Sequence, residues 1–180
     1  STPLATLPPA TATVRPTNTP RATSTPRPTS TPRPTATPTL AVPMSLGNRI
    51  FIDTNNNGVQ DGGETGLAGV TLQLVRLSDI VIVQTKVSGS GGYYQFAYVA
   101  PAIYRIVVVA TNFSAGGTLV GYHLSPLPNA APDNDIDKDN NGRAQPDGSV
   151  SSDVVTLTVN GEPTNDGDSN PNTNLTIDFG

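Results

Sequence analysis

Cysteine and tryptophan are absent from the 180 residues, and methionine and histidine each occur once. Without cysteine there is no disulfide framework, no thiolate zinc site and no thiol nucleophile. The single histidine, His123, precedes Leu-Ser-Pro with no nucleophile motif around it, so it reads as a turn or surface residue and the chain as non-enzymatic. Basic residues are few: 10 against 14 acids, a net charge of -4 that argues against nucleic-acid binding. Hydrophobic residues make up only 35%, which is thin for a fully globular chain. No apolar run approaches the roughly 18 residues of a membrane-spanning helix. The longest, Ile106 to Ala110, is strand-sized, so membrane insertion is not expected. Ser1 is followed by neither a basic stretch nor an apolar one, so a secretory leader is expected to be absent or removed.

Proline and glycine are abundant, at 18 and 17. They are unevenly spread. Residues 1–43 hold 11 of the prolines, 13 threonines, four arginines and no acid, whereas 44–180 hold all 14 acids and six basic residues. The charges are therefore +4 and -8, and the composition places a boundary near Pro43. The arm repeats every six residues, as Arg27-Pro-Thr-Ser-Thr-Pro32 and Arg33-Pro-Thr-Ala-Thr-Pro38 illustrate. Proline at this frequency forbids helix and breaks strand ladders. A polyproline-II conformation is the remaining regular option, and 43 residues of it would reach on the order of 130 Å. The composition fits a disordered linker, an O-glycosylated stalk or, on P-x-x-P spacing alone, an SH3-type ligand. Two threonines per repeat stand beside proline, which makes Thr17, Thr19, Thr23, Thr25, Thr29, Thr31, Thr35 and Thr37 the expected carriers of covalent glycans. Leu4, Leu7 and Val14 precede the arginine repeat and are apolar. This segment is expected to add as a strand to an open sheet edge of a neighbouring copy, joining subunits head to tail into a filament.

After Pro43 the pattern changes to short runs rich in Val, Ile, Thr, Tyr and Phe: 49–53, 70–75, 81–87, 93–99, 104–109, 154–159 and 175–179. Turn residues bound them and no 3.6-residue period is sustained. About seven strands predict an all-β, antiparallel β-sandwich of immunoglobulin-like or prealbumin-like type over 44–180, preceded by the extended arm. Asn160-Gly161 predicts a hairpin turn. Asn112-Phe-Ser114 and Asn174-Leu-Thr176 fit the N-glycosylation sequon.

The chemistry is concentrated in Asp53-Thr-Asn-Asn-Asn-Gly-Val-Gln-Asp-Gly-Gly-Glu64. An EF-hand loop needs oxygen donors at positions 1, 3, 5, 7, 9 and 12 and glycine at 6. Here Asp53, Asn55 and Asn57 supply the first three, Gly58 the turn, the Val59 carbonyl position 7, Asp61 position 9 and Glu64 the closing carboxylate. Calcium takes six to eight hard oxygens, and a loop turning alternate side chains inward provides them. The flanking runs alternate like strands, so this is an EF-type loop set between strands. Three carboxylates suggest an affinity of roughly 10⁻⁴ to 10⁻³ M or somewhat tighter.

A second acidic stretch carries Asp133, Asp135, Asp137, Asp139 and Asn141 before Gly142. Four carboxylates within seven residues repel one another unless an ion screens them. Counted from Asp137, position 12 is Gly148, so Asp147 or Asp153 is the expected closing acid. Asp166 and Asp168 form a third, weaker candidate.

Ser45-Leu-Gly-Asn-Arg-Ile-Phe-Ile-Asp-Thr-Asn-Asn-Asn-Gly-Val-Gln-Asp61, followed by Gly66-Leu-Ala-Gly-Val-Thr-Leu72, resembles the start of a serine-aspartate-repeat B-type module, related to the B repeats of bacterial collagen adhesins. Gly92-Tyr-Tyr-Gln-Phe96, Pro101-Ala-Ile-Tyr104 and Asn174-Leu-Thr-Ile-Asp-Phe-Gly180 agree with it, although Ala102 stands where the family usually has glycine. The resemblance covers about 44–180 and not the arm. It implies a calcium-stiffened sandwich in an extracellular bacterial protein, secreted or on the cell surface, serving as stalk or spacer. The alternative is an adhesin module that binds a host, matrix or glycan ligand. Some related modules carry a Lys–Asn isopeptide crosslink, for which this chain offers Lys86 and Lys138; Lys86 lies in a strand run and Asn174 begins the last one, and the sequence selects no acid partner. No sorting signal follows Gly180, so a longer gene product is expected.

Overall fold

The computed structural model describes residues 42–126 and 137–180. The arm, with the eight candidate threonines and Leu4, Leu7 and Val14, lies outside the described residues, as do Asp133 and Asp135. The described elements fall within the compact unit Thr39–Gly180.

Alternation of apolar and polar residues sets the strands. In β2, Thr71–Arg76, Leu72 and Leu74 point inward; in β5, Ile103–Val108, Tyr104, Ile106 and Val108 do so. These two strands pair antiparallel, with β3, Val81–Val87, on the far side of β2. The opposing sheet is built on β1, Met44–Arg49, paired antiparallel with β4, Tyr93–Val99. Met44 and Leu46 of β1 and Tyr94, Phe96 and Val99 of β4 face the same core. Alternation in β4 breaks at Tyr98, which adopts φ +58° and is 87% exposed. The β1 register shifts between Met44 and Ser45, opposite Val99 and Ala97, so Tyr98 is the extra residue of a bulge and Val99 turns back inward.

Four two-residue strands complete the sandwich: β6 Arg143–Ala144, β7 Val150–Ser151, β8 Val155–Thr156 and β9 Thr173–Asn174. The sheets have orders β4-β1-β9 and β3-β2-β5-β7-β6, with β8 also on β5. The described residues contain two short 3₁₀ turns and no α-helix. The β-sandwich architecture expected from the pattern is the one found. The β1–β9 ladder is parallel, and the others are antiparallel.

Some boundaries move. The first strand begins at Met44, not Arg49, and Ile50 and Phe51 continue it only as isolated bridges. Gly47 permits the earlier start, because a Cβ there would lie 2.3 Å from the Tyr94 carbonyl oxygen. The run 154–159 yields only a two-residue strand on β5, because the backbone of Thr158 is taken up locally: its carbonyl accepts from Gly161 N–H at 2.9 Å and its N–H donates to Glu162 Oε1 at 2.6 Å. Asn160-Gly161 thus makes a turn, with Asn160 at φ +57°, but no hairpin partner follows it.

Both sequon asparagines are structural. Asn112 is buried and uses its amide on the Thr71 backbone in both directions, at 2.9 and 2.8 Å. Asn174 is fully buried and donates to Glu162. A glycan fits neither place. Lys86 is exposed on β3, in the sheet opposite the one that buries Asn174, so the pair is not set for an isopeptide.

Candidate metal centre

The EF-type loop is closed at its base by sheet hydrogen bonds. Ile52 N–H binds Thr65 O at 2.9 Å, and Phe51 bridges Gly66 antiparallel. Its flanks are extended, which holds the loop as a rolled excursion between strands. Inside it, side-chain oxygens accept from N–H groups further along. Asp53 Oδ1 accepts from Asn57 N and Oδ2 from Gly58 N, at 3.1 and 2.7 Å. Asn55 Oδ1 takes Asn57 N and Asn57 Oδ1 takes Val59 N, at 3.1 and 2.8 Å. Gly58 has φ +79°, the left-handed conformation that position 6 requires, and Asn56 reaches φ +56° just before it.

The amides of Asn55 and Asn57 both converge on Asp61 Oδ2, each at 2.8 Å. Glu64, buried at position 12, closes the loop with both oxygens: Oε1 accepts from Thr54 N at 2.7 Å and Oε2 from Asp61 N at 3.0 Å. Asp53 Oδ1 and Oδ2 and Glu64 Oε2 each accept one of these bonds and keep a lone pair for a cation, whereas Asp61 Oδ2 and Glu64 Oε1, which also takes the Thr54 hydroxyl, already accept two. Burial pushes the Asp53 carboxyl up, but the N–H groups of Gly58, Asn57 and Asn56 and the Ser125 hydroxyl together hold it below the usual carboxylate range.

The second acidic stretch lies directly on the first. Val59 bridges Asp139 antiparallel; Gln60 N–H binds Lys138 O and Asn140 N–H binds Gly58 O, both at 2.7 Å. The expected closing acids are engaged elsewhere. Asp147 caps its own turn through Ser149, and Asp153 pairs with exposed Arg143 at 3.1 Å. The acid that takes their place is Asp178, which the sequence pattern did not single out. It projects from the last extended segment, where Asn140 bridges it in parallel. Asp178 N–H donates to Asn141 Oδ1 at 2.7 Å, and Asp178 Oδ2 accepts from Lys138 N at 2.9 Å. Asn48 of β1 donates to both Asp137 and Asp178.

Three carboxyls here are disfavoured in their charged form. Asp139 is 3% exposed and Asp178 fully buried. Neither oxygen of Asp139 and only one of Asp178 has a hydrogen-bond partner. Burial, and next the charge of Asp137, push the Asp178 carboxyl well above its ordinary range. Burial raises Asp137 and Asp139 as well. An ionised carboxylate left this way costs several kcal/mol, and a hard cation is the group that would offset it.

The third stretch divides. Asp168 only caps its own turn, through Asn170 N at 2.8 Å. Asp166 is buried, holds Leu175 N at 2.6 Å with one oxygen and leaves the other unpartnered. Asp61, Glu64, Asp137 and Asp166 line one open cleft of about 870 Å³, which Arg49 and Lys138 also border. Stretches far apart in sequence thus meet at one surface. Among the described residues no three Asp, Glu or His side chains are gathered into a metal cage. The donors on hand are instead mixed: carboxylates, the Asn55, Asn57 and Asn141 amides, and main-chain carbonyls. That hard-oxygen set fits calcium or another hard divalent ion.

A family model described as the SdrD B-like domain matches residues 44–180. Colossin-C of Dictyostelium discoideum is 30% identical over 86 residues, which is 48% of this chain and 9% of that protein. The serine-aspartate repeat-containing protein D of Staphylococcus aureus (strain Newman) is 33% identical over 98 residues, 54% of this chain and 6% of that protein. The chain therefore spans less than a tenth of the length of these relatives. With its Asp53–Glu64 loop, its two-sheet core and a match across all of 44–180, the chain belongs to the SdrD B-like domain family.

Proposed function

We propose that this protein is a non-enzymatic, extracellular structural glycoprotein, a subunit of a surface stalk or filament whose β-sandwich is stiffened by calcium. The observation that carries the reading is the set of buried, unpartnered oxygens on Asp139 and Asp178 beside the EF-type loop. Calcium there would tie three parts of the chain together: the loop after β1, the 137–142 stretch and the last extended segment.

The topology supports a load-bearing role. The first and last extended segments run parallel, with β1 and β9 in one ladder, and also share the main-chain hydrogen bonds Ser45 N to Asn172 O, Ile177 N to Gly47 O, Phe179 N to Arg49 O and Phe51 N to Phe179 O. Tension applied at opposite ends of the module shears such bonds together and does not open them one by one. Asn48 and Asp178 lie in this seam, so an ion at Asp178 would brace the ladder that bears the load.

The relatives support placement at a cell surface, and their family supports a spacer over a catalyst. In this reading the arm is O-glycosylated at the threonines of its repeat and contacts neighbouring copies, which joins subunits head to tail. Electron microscopy of the full chain in calcium is the test. Fibres are expected from the full chain and folded monomers from a chain lacking residues 1–14; fibres from that truncation refute assembly through the arm.

A further inference from the structure

We infer that β3 is the edge on which a second copy of the chain docks its N-terminal segment as an added strand; this rests on the head-to-tail reading above. Among the described residues the larger sheet ends at β3, which pairs with β2 and nothing beyond it. The orientation of its free groups follows from Thr71. Thr71 turns its backbone away from β3: its N–H donates to Asn112 Oδ1 at 2.9 Å, and its carbonyl accepts from Val109 N at 3.2 Å. Residues opposite one another in an antiparallel ladder share the same orientation. Val87 faces Thr71, so Val87 and, two residues along, Thr85 direct their N–H and C=O groups outward.

This edge is only lightly protected. Val-Ile-Val-Gln-Thr-Lys-Val contains no proline, a single charge, Lys86, and one bulge, at Val83, where the register with β2 shifts. Val81, Ile82 and Val87 are 44%, 51% and 58% exposed, and Ile80, at φ +54° before the strand, is 73% exposed. A long, apolar, β-branched edge is a template for another strand. The alternatives among the described residues are poorer. β6 and β9 have two residues each, and the outer edge of β4 is already engaged at both ends, where Tyr93 O accepts from Gly89 N at 2.8 Å and Ala97 O from Gln84 Nε2 at 2.7 Å.

The occupant is argued from length and charge. Forty-one residues precede Val42, carrying four arginines and no acid, against a net -8 over 44–180. Before the first arginine, Ala10-Thr-Ala-Thr-Val14 lies between Pro9 and Pro16. It is uncharged and rich in Thr and Val, and every residue has an N–H to offer, as strand addition needs.

Thr85→Pro in the full chain is the direct test, because it deletes an outward donor and leaves the β2 ladder intact. The expected result is a normally folded monomer that needs at least tenfold more protein to assemble. Ile82→Lys, which changes only an exposed side chain, should act in the same direction. In assembled wild type, Thr85 and Val87 amides should exchange at least tenfold more slowly than in the chain lacking residues 1–14. If Thr85→Pro and Ile82→Lys both assemble normally while that truncation does not, the β3 assignment is wrong and the head-to-tail reading stands. Assembly of the truncation overturns both. Protection of Thr85 and Val87 within monomers overturns docking on a second copy.

Discussion

Asp53 and Asp178 answer to an ion in opposite ways. Asp53 is held by the N–H groups of Asn57 and Gly58, so its charge is already well supported before any ion arrives. Removing it by Asp53→Ala frees those donors and the first ligand position together. Thermal melts should show the calcium-dependent rise in Tm falling to less than half. Asp178 is a buried carboxyl beside Asp137, disfavoured in its charged form and with one oxygen unpartnered. Asp178→Asn keeps the acceptor for Lys138 N and removes the charge. Its Tm in chelator should equal or exceed that of the wild type, while its gain from calcium shrinks. A strongly lowered Tm in chelator would show that the Asp178 charge is compensated within the protein.

At the scale of elements, the strands that alternate cleanly were legible. The limits of 81–87 and 93–99 are those of β3 and β4, because both are long and end at turn residues. The two-residue strands β6 and β7 were not, since Arg143–Ala144 and Val150–Ser151 pair through tertiary placement and carry no periodic signal. The loop from Asp53 to Glu64 was readable because all its donors are local. The closing acid of the second stretch was not, because Asp178 comes from a segment about 40 residues away, and a search at fixed spacing finds only Asp147 and Asp153. Its one local sign was an acid set between buried Ile177 and Phe179. Gly47 tests the seam between β1 and β4. Gly47→Ala would place a methyl group against the Tyr94 carbonyl and should cost about 1–3 kcal/mol in denaturant unfolding, as overpacking does. A loss below about 0.5 kcal/mol would mean that the two strands separate easily at this point.

Taken as a whole, the chain joins a positively charged Pro/Thr arm to an acidic module, and the two make separate demands. Bare polypeptide has a mass of 18.6 kDa. If Thr17, Thr19, Thr23, Thr25, Thr29, Thr31, Thr35 and Thr37 carry glycans, intact native material should be heavier, and the added mass should map to peptides from residues 15–38. A native mass equal to the bare value refutes glycosylation of the arm and leaves the module's chemistry untouched.

On the proposed reading the module binds a cation. Binding to the folded state alone stabilises it by about 2.7 kcal/mol when the ion is at one hundred times its Kd. For a domain of this size that corresponds to a rise of several degrees in Tm. The decisive measurement is a pair of thermal melts of the full chain at one pH, with millimolar calcium and with excess chelator. Calcium should raise Tm by several degrees, and equal melting temperatures would contradict a calcium-stiffened module.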